Sequence, residues 1–423
     1  MRSRDGLNHL ELYRLPWTLP DNAISWLEPT SACNLACDGC YRENEPHSHK
    51  PLDRLKRELE TFRRLRHTDA VSIAGGDPLV HPQIVDLVHL IAQQGAKPII
   101  NTNGLALTPE LLRELKRAGA FGFTFHIDSK QQRPGWKNKD EISLNDLRRH
   151  YAGMLAEAGD LCCAFNSTVY EDTLQTVPEL VAWAARNIDR VHVMVFILYR
   201  AAVPDMPFDW YAGAQRIDLG TMAENLPYTS SAPRRVDMKA GEVVAALRRR
   251  FPDFAPCAYL NGTEAPDDYK WLLTCRFGDK GRIHGYAGPR FVELAQAWNH
   301  LVKGRYLSYA SPRVSRRGRS MLLLSPLDAG VKRAARRWAA SALANPLRLF
   351  HRLHLQSIMI IQPVDMLDNG LQSMCDGCPD MTVWDDRLVW SCRLEELKRL
   401  GGWLRAVPRE EEEFATDLTD MHR

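Results

Sequence analysis

The chain has 423 residues, 45% hydrophobic and 25% charged, a balance that excludes a disordered or collagen-like polymer. Its formal net charge of +3 is too small to argue for a nucleic-acid partner by itself, and ten unevenly spaced cysteines in so long a chain fit metal ligation in a reducing cytosol better than a disulfide scaffold. No apolar stretch reaches the roughly 18 residues that span a bilayer, and residues 1–20 lack the apolar centre of a secretory signal.

In chain order, residues 23–28 read as a short strand, followed directly by a cysteine-rich loop. Residues 52–66 carry helical apolar spacing behind Pro51, a residue favoured at helix starts. A second strand at 70–74 runs into Gly75-Gly76-Asp77-Pro78. A helix at 83–94 stops at Gly95, and a third strand at 97–100 ends in Asn101-Thr102-Asn103-Gly104. Thr108 caps a helix that opens on Pro109. A strand at 121–127, a helix at 143–157, a strand at 162–169, a helix from Thr176 and a strand at 191–198 complete the alternation. Repeated strand–helix units predict a parallel sheet with right-handed crossovers, an α/β fold of the partial (β/α)6 barrel type with a C-terminal cysteine-containing extension. Chemistry in such folds lies at the C-terminal ends of the strands, where each polar cluster above falls.

Composition divides the chain into an N-terminal segment (1–22), the barrel (23–210), an irregular connecting region (211–302), a basic amphipathic arm (303–360), an auxiliary metal or cluster segment (361–405) and an acidic tail (406–423). Asp328 is the only acid between Arg305 and Arg352. Arg313, Arg316, Arg317 and Arg319 form one basic patch. Lys332, Arg333, Arg336 and Arg337 flank Trp338 in an expected helix, with Leu347, Leu349, Phe350, Leu353 and Leu355 beyond it. Such an arm suits an anionic membrane surface, or equally a solvated helix over the barrel mouth. No RNA-binding motif accompanies it, so nucleic acid is not expected.

Cys33, Cys37 and Cys40 form a C-x3-C-x2-C run, three thiols in one loop able to ligate one metal centre. An Fe–S cluster can be held by cysteines alone, and a missing fourth thiolate leaves one iron open. A structural zinc completed by His47 or His49 is the other reading. Cys375, Cys378 and Cys392 form a second constellation. Asp385-Asp386 between β-prone residues suggests a hairpin turn that returns Cys392 toward Cys378. Its fourth ligand is Cys257 or Cys275, or the site is open, and zinc is again an alternative. Cys162 and Cys163 sit within a strand as buried, inert thiols. His126 and Asp128 share one strand face by their i, i+2 spacing. Together with Asn101, Asn103, Asn166 and Ser167 they are candidates for cofactor or substrate contact.

The cysteine loop after strand one and Gly75-Gly76-Asp77-Pro78 after strand two together resemble the radical S-adenosylmethionine (radical SAM) superfamily, over residues 20–200. The resemblance implies a [4Fe–4S] cluster on Cys33, Cys37 and Cys40, its open iron chelated by S-adenosylmethionine. One electron from the cluster would cleave the sulfonium and give a 5′-deoxyadenosyl radical. Gly75, Gly76, Asp77 and Pro78 match the family's Gly-Gly-Glu-Pro segment, which binds the methionine amino group. The residue before the last cysteine is usually an aromatic that packs on adenine. Here it is Gly39, and Tyr41 is the nearest aromatic in the run. Gly39, Trp26-Leu27-Glu28-Pro29 and His126-Ile127-Asp128 look like the adenosylhopane-forming branch. The C-terminal cysteines resemble SPASM and twitch hairpins, which bind a second Fe–S cluster, although the further downstream cysteines of a full SPASM domain are missing. The resemblance thus implies a radical SAM enzyme acting on unactivated carbon of a small-molecule, lipid or isoprenoid substrate. It also implies an external one-electron donor such as flavodoxin or ferredoxin, and a cytoplasmic location, peripheral to the inner membrane face if the arm docks there. A radical SAM peptide maturase and a non-catalytic Fe–S or zinc protein are the alternatives.

Overall fold

The computed structural model describes residues 6–37, 39–201, 207–218 and 235–409. Strands and helices alternate as β1 (Ile24–Thr30), α1 (Leu52–Leu65), β2 (Ala70–Gly75), α2 (Ile84–Gln93), β3 (Lys97–Thr102), α3 (Pro109–Ala118), β4 (Gly122–His126), α4 (Asn145–Ala158), β5 (Cys162–Val169), α5 (Val177–Arg186) and β6 (Val193–Leu198). Every neighbouring pair from β1 to β6 is parallel. The helices follow from spacing. Leu55, Leu59 and Phe62 fall on one face of α1, and Ile84, Leu87, Val88 and Ile91 on one face of α2, and all are buried in the main core. Thr108 Oγ1 accepts from the Leu111 amide at 3.1 Å to start α3, and Gly119 ends it in the left-handed region.

The sheet extends beyond these six strands. The stretch expected to be irregular, 211–302, holds α6 (Ala240–Arg250), β7 (Ala258–Asn261), β8 (Tyr269–Asp279), β9 (Arg282–Tyr286) and α7 (Pro289–Lys303). The expected basic arm contains α8 (Ala329–Ala344) and then β10 (His354–Ile361), which pairs in parallel with β6 and prolongs the barrel. β8 runs antiparallel to both β10 and β7, and Tyr13–Arg14 adds a short parallel edge to β7. Composition hid β10, because Leu353 and Leu355 continue the run of Leu347, Leu349 and Phe350 without a break. Folding separates them: Leu353 and Leu355 enter the core, while the other three stay exposed. Leu404–Pro408 pairs antiparallel with Phe208–Ala212, so residues 406–408 of the expected acidic tail form part of a strand. Residues 410–423, the rest of that tail, lie outside the described residues.

A second core lies behind β7–β9, where Trp17, Trp271, Phe277, Phe291 and Leu353 pack together. Buried charges hold strand ends. Arg148 pairs with Glu141 at 2.8 Å and donates to the Ile127 carbonyl at 2.7 Å, which fixes the chain just beyond β4. His192, just before β6, accepts the Cys163 amide at Nδ1 (3.0 Å) and is therefore neutral. Burial, then the charges of Arg316 and His354, push its pKa from 6.5 down to about 4. The unfolded chain consequently binds the extra proton first as pH falls from about 6.5 to 4. His192 should contribute stability in full above pH 6.5 and lose it across that window, on the order of 3 kcal/mol. Urea unfolding midpoints of His192→Asn, which keeps an acceptor, should fall less steeply between pH 6.5 and 4 than those of the parent.

Candidate functional site

The C-terminal ends of the parallel strands open on a cavity of about 670 Å³. The three loop thiols, both other cysteine-segment positions Cys375 and Cys378, and Cys392 all line it. So do Gly75, Gly76, Asp77, Asn101, Asn103, His126, Asp128 and Tyr41. Among the residues singled out in the sequence, Pro78, Ser167, Cys257 and Cys275 lie off its wall.

Polar side chains shape the cysteine loop. Asn44 Oδ1 accepts from the Cys33 amide at 2.9 Å, and its Nδ2 donates to the Cys33 carbonyl at 3.0 Å. Asn103 Nδ2 donates to Asn34 Oδ1 at 2.6 Å and lies 3.7 Å from Cys33 Sγ. The surrounding protein pushes all three thiols above their ordinary value by desolvation. Weaker effects oppose it: the Leu35 amide and Asn103 for Cys33, the Arg133 charge for Cys37, and the Arg42 amide and charge for Cys40. The net direction is upward for all three, so with nothing bound the thiols are held protonated. His49 packs edge-on against His81, and neither His47 nor His49 lines the cavity, so neither completes a zinc site with the loop.

Gly39 has φ +73°, and a Cβ there would lie 2.6 Å from Tyr199 Cε2. The ring of Tyr199, just beyond β6, therefore occupies the space beside the loop's missing side chain, packed against Tyr170 at a 32° tilt with centroids 4.9 Å apart. Tyr41 does not fill that role. Arg42 lies 5.1 Å above its ring, and its hydroxyl bonds to Ser391.

The Gly75–Pro78 turn serves the loop directly. A Cβ on Gly75 would meet the Thr30 carbonyl at 2.3 Å, and one on Gly76 the Ala32 carbonyl at 2.2 Å. The close approach demanded of these glycines is thus to the backbone entering the cysteine loop. The Gly76 and Asp77 amides donate to those same carbonyls at 2.9 and 2.8 Å. The Asp77 carboxylate is occupied by Thr102 Oγ1 and by the amides of Leu79 and Asn103, all within 2.9 Å. Its side chain is therefore spent on joining β2 to β3.

His126 Nε2 lies 2.9 Å from Asp128 Oδ2 and 3.0 Å from Thr168 Oγ1. Burial raises the Asp128 carboxyl, but His126, Thr168 and the Lys130 amide outweigh it and leave the group below its ordinary value. Asn101 Nδ2 donates weakly to the Ile73 carbonyl at 3.4 Å. Arg133, unnoticed in the sequence, ties the rim together by donating to the Asn103 carbonyl (2.7 Å) and the His126 carbonyl (3.0 Å).

The C-terminal segment closes the cavity's other side. Asp385 and Asp386 take φ of 48° and 57° between β11 (Met381–Trp384) and β12 (Arg387–Trp390), forming a hairpin as expected. It returns the chain to Ser391 and Cys392. Arg42 spans the junction, 2.6 Å from Glu28 and 2.8 Å from Glu395, with its side chain 2% exposed, and it also donates to the Ser391 carbonyl. Arg66 donates to the carbonyls of Cys378 and Pro379, and Asn22 to that of Gly377. Burial pushes Asp380, beside Cys378 and Cys392, up to about 7. Cys257 and Cys275 supply no fourth ligand. They hydrogen-bond to each other inside the second core. Cys275 on β8 and Cys257 just before β7 both face that core rather than the cavity. Among the described residues, no three His, Cys, Asp or Glu side chains meet closely enough to hold a single ion.

Arg42, Arg66 and Arg133 were invisible in the sequence because their partners are mainly backbone carbonyls and distant carboxylates. Tyr199 had a weak signal, an aromatic one residue past a strand end.

Residues 27–183 match the model of the radical SAM superfamily. Members use a [4Fe–4S] cluster and S-adenosylmethionine. The chain is 28% identical over 196 residues to the AdoMet-dependent heme synthase of Nitratidesulfovibrio vulgaris, covering 43% of this chain and 51% of that protein. It is 31% identical over 106 residues to the tungsten-containing aldehyde ferredoxin oxidoreductase cofactor-modifying protein of Pyrococcus furiosus, covering 24% of this chain and 30% of the relative. The chain thus spans about half, or less, of these relatives. Among solved structures, it is similar to Streptococcus suis SuiB at TM-score 0.38 and 15% identity, covering 56% of this chain and 46% of that one.

Proposed function

We propose that this chain is a radical SAM enzyme whose cluster and S-adenosylmethionine occupy the cavity between the cysteine loop and the C-terminal hairpin. The observation that carries the reading is the convergence of Cys33, Cys37 and Cys40 with Gly75, Gly76 and Asp77 on one cavity wall. The residues fit the group. Sulfur donors suit an iron–sulfur cluster. Asn166 Oδ1 and Trp26 Nε1 are buried without partners, and both residues line the cavity, as a polar ligand would require. When bound, the cluster would supply one electron to S-adenosylmethionine, and cleavage of the sulfonium would give a radical that takes hydrogen from, or adds to, unactivated carbon.

The chain's own residues do the rest. Cys33, Cys37 and Cys40 hold iron, with Asn103 against the Cys33 sulfur. Asn166, Asn101 and the His126–Asp128 pair offer hydrogen bonds to ribose, carboxylate or substrate. Tyr199 supplies the aromatic face beside Gly39 for adenine. Cys375, Cys378 and Cys392, which do not meet closely enough for a single ion, would hold a second iron–sulfur cluster. Arg200 and Lys239 on the wall pair with Asp365, and His126 pairs with Asp128. The basic arm lends no support to a lipid substrate, because it lies at the other end of the barrel. A purely metal-storing protein would leave the cavity and its unpartnered Asn166 without a role.

After anaerobic reconstitution with iron and sulfide, the protein should bind S-adenosylmethionine. Tyr199→Ala should weaken that binding by roughly fivefold to a hundredfold, the usual value of one base–aromatic stack, with iron content unchanged. Calorimetric titration with S-adenosylmethionine and, separately, with 5′-deoxyadenosine checks this. No binding by the parent protein overturns the reading of the cavity, and equal binding by Tyr199→Ala overturns only the role of Tyr199.

A further inference from the structure

The basic segment is a built surface at the opposite pole from the cysteines. Arg313, Arg316, Arg317, Arg319 and Arg352 line one open cleft of about 430 Å³, together with Phe350 and Leu353. Their neighbours locate it. Arg313 pairs at 2.7 Å with Asp160, just before β5. The Gly318 amide donates to the Leu353 carbonyl, just before β10. Arg316 bears on His192, just before β6. All three contacts lie at the N-terminal ends of parallel strands. The eight residues of β5 separate the cleft from the cavity by roughly 26 Å.

The cleft is undersupplied with acid. Among the described residues, Arg313 has a carboxylate partner, while Arg316, Arg317 and Arg352 have none. Arg319 is held in place by the Leu349 and His351 carbonyls and stacks on Trp338 at 5.6 Å. Beside the cleft, the short turn Pro346–Phe350 exposes Leu347 (67%), Leu349 (47%) and Phe350 (84%), and Leu343 at the end of α8 is 84% exposed. Three exposed apolar side chains in a five-residue turn next to five arginines do not belong to an ordinary solvated surface. Guanidinium groups recognise phosphate, and leucine and phenylalanine side chains enter the boundary between headgroups and acyl chains. Among the described residues, no helix is long and apolar enough to cross a membrane. The combination therefore fits contact with one face of a bilayer.

We propose that this pole docks on an anionic phospholipid membrane, with the arginine cleft taking lipid phosphates and the 346–350 turn inserting beneath them. An RNA or DNA partner would use the arginines but leave the exposed leucines and Phe350 without purpose. The docking stands apart from the cofactor chemistry. It orients the molecule with the cysteine cavity facing away from the bilayer, so substrate enters from the aqueous side.

The test is flotation of the full-length protein with vesicles of phosphatidylcholine alone and of phosphatidylcholine mixed with phosphatidylglycerol. A parallel titration uses a single-stranded oligoribonucleotide. Binding to mixed vesicles should exceed binding to neutral ones and weaken with salt. Reversing two charges in Arg316→Glu/Arg317→Glu should lower it by about thirtyfold or more. Phe350→Ser should lower it by about tenfold at unchanged charge. Both variants change exposed or partly exposed residues far from the cysteines, so circular dichroism and S-adenosylmethionine binding should match the parent. Equal binding to both vesicle types, no effect of either variant, or an oligoribonucleotide affinity that depends on the arginines but not on Phe350, would each overturn the proposal.

Discussion

Replacing Cys33, Cys37 and Cys40 together with alanine should remove one whole cluster's iron from the reconstituted protein and abolish cleavage of S-adenosylmethionine. The fold should survive. The loop is shaped by Asn44 and by the Gly76 and Asp77 amides, none of which needs the thiol groups. The thiols are also not core residues. Cys33 and Cys37 are half-buried, and Cys40 is exposed on the cavity wall. Iron and sulfide assays, visible absorption and electron paramagnetic resonance read the loss. Because Cys375, Cys378 and Cys392 belong to a separate segment of chain, iron bound there should remain in the triple variant. The variant retaining as much iron as the parent would mean that the loop is not a cluster site. Full retention of S-adenosylmethionine cleavage would mean the same.

Arg42→Ala should be among the most damaging single changes in the chain. The guanidinium lies between Glu28 on β1 and Glu395 in the C-terminal helix Leu394–Leu400, at 2.6 and 2.8 Å, with all three side chains at most 6% exposed. Removing it leaves Glu28 buried without its cation, leaves Glu395 with Lys398 alone at 3.2 Å, and frees the Ser391 carbonyl. Breaking a buried pair in this way costs about 3–5 kcal/mol. The same arginine joins the two thiol segments, lying two residues after Cys40 and contacting the residue before Cys392. Loss of the joint should therefore also expose the C-terminal segment to proteolysis. Arg42→Lys should not rescue, since one ammonium cannot reach both carboxylates and the carbonyl in the fork geometry that arginine provides. Guanidinium chloride unfolding and limited proteolysis measure both effects. A loss below about 1 kcal/mol, with no new cleavage site, would show that the junction is held some other way.

Much of the barrel is legible in the sequence because it is local. Each strand from β1 to β5 is followed by a helix whose apolar spacing is visible in its own residues, and the turns carry their own markers, such as Thr108-Pro109 and Asp385-Asp386. β10 is not local. It pairs with β6 across more than 150 residues of chain, and its buried Leu353 and Leu355 are compositionally continuous with a surface turn. The region between them looks irregular in sequence because its strands β7 and β8 pair with each other and with β10, not with a preceding βα unit.

The site divides in the same way. The cysteine spacing and the Gly75-Gly76-Asp77-Pro78 run are contiguous motifs. The roles of their members come from tertiary contacts that no motif records. The glycines press on the loop's own backbone, Asp77 is consumed by β3, and the ring beside Gly39 comes from Tyr199. Two cysteines that spacing alone admitted as ligands, Cys257 and Cys275, face each other in a core. Nothing short of the sheet register separates a thiol on the rim from a thiol behind it.

The central claim is that Cys33, Cys37 and Cys40 build a reducible cluster at which S-adenosylmethionine is cleaved. The most direct measurement is anaerobic incubation of the reconstituted protein with dithionite and S-adenosylmethionine, followed by chromatographic quantification of 5′-deoxyadenosine. The account predicts 5′-deoxyadenosine and methionine in equal amounts from the parent protein and none from the triple alanine variant. No 5′-deoxyadenosine from a protein carrying its full complement of iron, or equal yields from the parent and the variant, would contradict it.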